Sequence, residues 1–152
     1  MSGPRVAESK VVDAPPSAVY ALLSDYQVGH PQILPKPAFQ SLAVEQGGQG
    51  AGTVARVTMR VMGREQTLRL TVTEPQPGRV LQEEDAVAGV TTWFTVTPVD
   101  GGAHSRLEIA TEWRAKPGIS GWIEGKTVPF FAHRLYRQEL DLIAAHFAAP
   151  SK

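Results

Sequence analysis

From Val128 to Phe147 apolar residues return every three or four positions: Val128, Phe131, Ala132, Leu135, Tyr136, Leu140, Leu142, Ile143 and Phe147. At about 100° per residue they cover roughly half of a helix, with Arg134, Arg137, Gln138 and Asp141 on the other side. Trp122 and Ile123 carry the spacing upstream, so the pattern predicts one long helix from Gly118 to Ala149, kinked at Pro129. Glu139 breaks the pattern. It lies about 20° from Val128, near the centre of the apolar arc, with His146 on the same line. A carboxylate in that position must be paired, protonated or wet.

The rest of the chain must supply the surface that this helix covers. Arg5 to Val12 alternates as a strand, and Asp13-Ala14-Pro15-Pro16-Ser17 ends it and opens a short helix whose apolar face is Val19, Leu22, Leu23 and Tyr26. A second helical turn is expected between Gln27 and Leu34, bracketed by Pro31 and Pro35. From Phe39 to Arg114 the period becomes two. The predicted strands are Phe39 to Glu45, Thr53 to Met62, Arg64 to Glu74, Val80 to Asp85, Val90 to Val99 and Ser105 to Arg114. Gly63, Pro75 to Gly78, Ala88-Gly89 and Asp100-Gly101-Gly102 mark tight turns, and such turns force neighbouring strands to pair antiparallel. The resulting expectation is an α+β domain spanning residues 1–152. A curved antiparallel sheet of about seven strands wraps around the long C-terminal helix, with two short helices after the first strand.

Composition narrows the function classes. The chain has 152 residues, 42% hydrophobic, and Lys+Arg and Asp+Glu each number 15. With no net field, nucleic acid is not an expected partner, and no apolar run is long enough for stable membrane insertion. The start of the sequence lacks a signal-peptide core, so a cytoplasmic location is expected. Zero cysteines exclude thiolate chemistry and Cys-ligated metal. His30, His104, His133 and His146 show no ligand spacing, and neither a metal nor another cofactor is expected.

Val12-Asp13-Ala14-Pro15-Pro16-Ser17-Ala18-Val19-Tyr20-Ala21-Leu22-Leu23-Ser24-Asp25 resembles the strand-to-helix opening of the START-like, or SRPBCC helix-grip, superfamily. Within it, the polyketide cyclase/dehydrase branch is the most similar. Phe94-Thr95-Val96-Thr97-Pro98-Val99 before Asp100-Gly101-Gly102 and the terminal helix are similar too. Tyr26 with Ile33-Leu34-Pro35 is also similar to coenzyme Q-binding members. The resemblance implies a deep, mostly apolar cavity between sheet and helix, and a glycine-rich loop near its mouth.

The run Gly47 to Gly52 fits that loop better than a phosphate site, because no Gly-Lys-Ser/Thr follows and it opens a strand instead of a helix. It is expected to be a mobile turn. Ser120 is the one serine beside the predicted helix start, but no Gly-x-Ser-x-Gly is present. Arg56, Arg60 and Arg69 fall on the solvent face by strand parity. The cavity wall is expected from Met59, Leu70, Phe94 and Ile109, with Trp113, Phe131 and Leu135, and one polar contact from Glu139. The leading reading is a non-catalytic binder of a small or medium hydrophobic molecule (lipid, polyketide or quinone-like), a monomer or homodimer. An enzyme of cyclase, dehydratase or hydrolase type using Glu139 or His30 as general base is the rival reading. A protein-binding regulatory module with an exposed apolar patch is the third.

Overall fold

The structure, a computed structural model, describes residues 2–115 and 118–148, and only the backbone of residues 2 and 119–126. The chain runs β1 (Ser2–Val12), α1 (Pro16–Ser24), α2 (Gly29–Gln32), β2 (Phe39–Gln46), β3 (Val54–Val61) and β4 (Arg64–Gln76). Then come β5 (Val80–Asp85), β6 (Val90–Val99), β7 (His104–Arg114) and α3 (Gly118–Phe147). One curved antiparallel sheet holds the strands in the order β1-β7-β6-β5-β4-β3-β2, so the first and last strands are neighbours. α3 passes through Pro129 as one helix and closes over the sheet, which is the α+β helix-grip arrangement. Trp122, Ile123 and Ser120 have side chains outside the described residues.

Strand parity sorts the two faces. On β3 and β4, Val57, Met59, Leu70 and Val72 are buried while Arg56 and Arg69 are exposed. The register sets Arg56 directly opposite Arg69, a pairing that would repel. Glu45 on β2 resolves it, taking Arg56 Nη2 at 2.8 Å and Arg69 Nε at 2.7 Å.

The buried stripe of α3 is narrower than its apolar arc. Ala132, Tyr136, Glu139, Leu140 and Ile143 are buried, whereas Phe131 and Leu142 are exposed. His146, expected on the inward line, is also exposed and rests edge-on against Phe147. The sheet covers one side of the helix, and its edge strand β1 grips the polar flank. Glu8 accepts from His133 Nδ1 at 2.7 Å and Arg137 Nε at 2.9 Å, and Lys10 donates to Asp141 at 2.8 Å.

The glycine-rich run is bonded to the elements on both sides of it. It is tied down: Gly48 O accepts from Tyr26 N, Gly50 N donates to Ser24 O, and Gly52 N donates to Val72 O. Ala51 N donates to Glu74 Oε2 at 3.0 Å. Gly50, at φ +56°, lies so close to Glu74 that a Cβ there would stand 2.7 Å from the same oxygen. The loop therefore joins α1 to β4 as a clasp, and it takes no part in the cavity wall.

Candidate functional site

At one end of the fold the core is solid. Leu23, Leu81, Leu107, Ile109, Leu140 and Ile143 are fully buried or nearly so. Toward the N-terminal half of α3 the two layers separate and leave a cavity of about 590 Å³. Val57, Met59 and Leu70 form one wall, Phe94 and Trp113 another, and Val128, Phe131 and Leu135 the helix side. Met62, Arg64, Val87 and Arg114 also border it, at the β3–β4 and β5–β6 turns and the end of β7.

Of the residues expected on the wall, Met59, Leu70, Phe94, Trp113, Phe131, Leu135 and Glu139 border the cavity. Ile109 does not. Along β7 the inward positions run Trp113, Thr111, Ile109, and the Thr111 hydroxyl meets the Tyr136 hydroxyl at 2.5 Å. α3 thus closes on the strand before Ile109 is reached, and that side chain is fully buried in the core.

Polar groups collect at the inner end of the cavity. Glu139 is 2% exposed, and among the described residues no hydrogen bond or ion pair reaches its carboxyl group. Burial first, and the charge of Glu83 second, push its pKa well above the ordinary carboxylate value. Glu83 comes from β5, where Leu81, Glu83 and Asp85 point inward together. Its Oε1 accepts from Tyr26 OH at 2.7 Å and lies 3.4 Å from His30 Nε2. His30 Nδ1 is 2.8 Å from the Leu23 carbonyl, which can only accept, so Nδ1 carries a hydrogen. The His30 ring stacks on Tyr26 at 4.5 Å and meets Phe94 edge-on at 5.5 Å. Burial, then the Glu83 charge, drive the Tyr26 phenol pKa up, so it stays a donor. Tyr136, Thr111 and Thr92 form a second chain of hydroxyls, with 2.7 Å between the two threonines.

The sequence pattern located Glu139 and named His30 as an alternative general base, but it passed over Glu83. The available signal was parity: Glu83 shares its face with Leu81, which pairs with the inward Phe94. The other histidines serve elsewhere. His104 lies between Asp13 and Asp100 on the surface, and His133 is held by Glu8. Among the described residues no group of three His, Cys, Asp or Glu side chains is placed to hold a metal ion. A neutral carboxyl can donate a hydrogen bond or a proton, and a carboxylate fixed by a donor on one oxygen can accept on the other. Both kinds of group face the same apolar cavity.

Residues 3–148 match the family model described as polyketide cyclase / dehydrase and lipid transport. The chain belongs to this polyketide cyclase/dehydrase family. Among solved structures, this family member resembles the KanY protein at 29% identity and a TM-score of 0.82, covering 97% of this chain and 99% of that one. A START superfamily protein from Mycobacterium smegmatis aligns at 14% identity and a TM-score of 0.71, covering 95% and 97% of the two chains. The Zhui aromatase/cyclase from Streptomyces sp. R1128 aligns at 18% identity and a TM-score of 0.63, covering 93% and 92%. No curated protein matches the chain. For this family member, no helix among the described residues is long and apolar enough to cross a membrane.

Proposed function

We propose that the protein binds a small or medium hydrophobic molecule in the cavity between sheet and α3, with the ligand's polar end at Glu139 and His30. The observation that carries this reading is the distribution of chemistry along the cavity. Its walls are aliphatic and aromatic, and its inner end is polar. A site of this kind draws affinity from apolar burial and orientation from a few polar groups. Met59, Leu70, Phe94, Trp113, Phe131 and Leu135 are the proposed apolar contacts. Lipids, polyketides and quinone-like molecules share the required shape, an extended or fused apolar body with a carbonyl or hydroxyl at one end. The family's description and the aromatase/cyclase likeness support that class.

Binding alone requires no chemistry, and a carrier is the simplest form of the reading. The two inward carboxyl groups favour a second form, an enzyme of the cyclase or dehydratase kind acting on a bound carbonyl compound. Native mass spectrometry of freshly purified protein tests the shared premise. A co-purifying apolar mass is expected, and it should be lost when Phe94 or Leu135 is replaced by a charged residue. Absence of any bound mass, together with no response of Trp113 fluorescence to apolar carbonyl compounds, would overturn the binding reading.

A further inference from the structure

The two carboxyl groups in the cavity have unequal surroundings, and the inequality divides their roles. The Tyr26 hydroxyl donates to Oε1 of Glu83, and His30 Nε2 lies 3.4 Å from the same oxygen. Among the described residues no hydrogen bond or ion pair reaches Oε2, while Glu83 borders the cavity. Glu139 borders it too and has no donor at all among the described residues. Neither carboxyl is sealed in the core, since no buried side-chain polar atom among the described residues lacks a hydrogen-bond partner. Their free oxygens therefore open on the cavity.

Two carboxylates cannot share a dry site as equals. Negative charge settles where donors stand ready and a proton settles where they do not. Tyr26 holds Glu83 as the acceptor, which leaves Glu139 as the proton holder. The burial and the Glu83 charge that push the Glu139 pKa up act in the same direction.

We propose that Glu83 and Glu139 form a general base and general acid pair that interconverts a bound ketone and its enol. Oε2 of Glu83 takes the proton from the carbon beside the carbonyl as the C–H bond breaks. Those electrons form the C=C bond, and the carbonyl π pair takes the proton of Glu139. Glu83 ends neutral, Glu139 ends as the carboxylate, and the total charge of the site is unchanged. No oxidant, reductant or second substrate enters. Tyr26 is a positioning residue that acts through Glu83. The other titratable groups sensing Glu83 are Glu139 and Tyr136 on α3. The apolar walls set the substrate class, an aliphatic or fused-ring ketone with acidic α-hydrogens.

This inference rests on the binding reading above, and one probe separates the two. The bicyclic ketone 2-tetralone is offered to the full chain in deuterated buffer. Binding is followed by Trp113 fluorescence, and deuterium uptake beside the carbonyl by NMR. Saturable exchange above the buffer rate is expected. Glu83→Gln and Glu139→Gln should each lower it on the order of a hundredfold while 2-tetralone affinity is retained. Tyr26→Phe, which keeps both carboxyl groups but leaves Oε1 of Glu83 without its donor, should slow exchange while 2-tetralone affinity is retained. That split between rate and affinity carries the test if Glu83→Gln does not fold. Binding without accelerated exchange, or full exchange in folded Glu83→Gln, would overturn the acid–base pair and leave the binding reading standing. Unslowed exchange in folded Tyr26→Phe would also overturn it. Failure to bind 2-tetralone at all would overturn both.

Discussion

The phenol of Tyr26 donates a 2.7 Å hydrogen bond to Oε1 of Glu83, joining residues 57 positions apart inside the fold. The bond fixes one oxygen of the carboxyl group and turns the β5 carboxylate into a directed acceptor. It also couples the segment after α1 to the middle of the sheet, so the polar end of the cavity is part of the packing. Tyr26→Phe is expected to lower stability by about 1.5–3 kcal/mol, the range for hydrogen bonds to charged groups. Tyr136→Phe, which breaks a bond between neutral hydroxyls, should cost about 0.5–1.5 kcal/mol. Denaturant unfolding of the two variants checks the order, and a larger loss in Tyr136→Phe would contradict it.

Glu139 makes stability depend on pH in a defined direction. Its carboxyl titrates at its ordinary value of 4.5 when unfolded and well above it when folded. The folded state therefore binds the extra proton. Its contribution is fully present below about pH 4.5 and is lost as pH rises toward the folded pKa. Glu139→Gln removes this dependence. Unfolding free energies at pH 4.5 and pH 8 should show the variant gaining on the natural chain at the higher pH. A variant that loses ground as pH rises would mean that Glu139 is ionised and paired.

Wall and core should separate on mutation. Ile109→Val removes a methyl from the solid core and is expected to lower stability by about 0.5–1.5 kcal/mol. Its affinity for 2-tetralone should not change. Leu135→Ala, on the half-buried cavity side of α3, should change affinity more than stability. Titration by Trp113 fluorescence alongside thermal melts distinguishes the two. Equal affinity changes would place Ile109 at the ligand after all.

The glycine clasp should resist exchange. The Gly50, Ala51 and Gly52 amides all donate to fixed acceptors on α1 and β4, so their hydrogen exchange should be slow with or without ligand. Fast exchange that slows on adding 2-tetralone would restore the loop as a gate. Gly50→Ala, strained at its positive φ and crowded by Glu74, should lower stability by about 1–3 kcal/mol.

Much of this architecture was legible in the chain because it is written in local terms. Turn residues and two-residue alternation dictate an antiparallel sheet, and strand parity predicts that Val57 and Met59 face inward with Arg56 outward. A 3.6-residue period draws one long helix and places Glu139 inside it without reference to any other element. Tertiary structure decided what those faces meet. Glu83 reads as one acidic residue in the run Glu83-Glu84-Asp85 until Leu81 is set beside Phe94, and only the sheet register does that. Ile109 has the same parity as Trp113, yet α3 closes on Thr111 and leaves Ile109 out of the cavity. His146 repeats the phase of Glu139, but it lies in the last turn of α3 and remains exposed. Period fixes direction along one element. Distance between elements depends on register and helix placement, and the chemistry of the cavity depends on that distance.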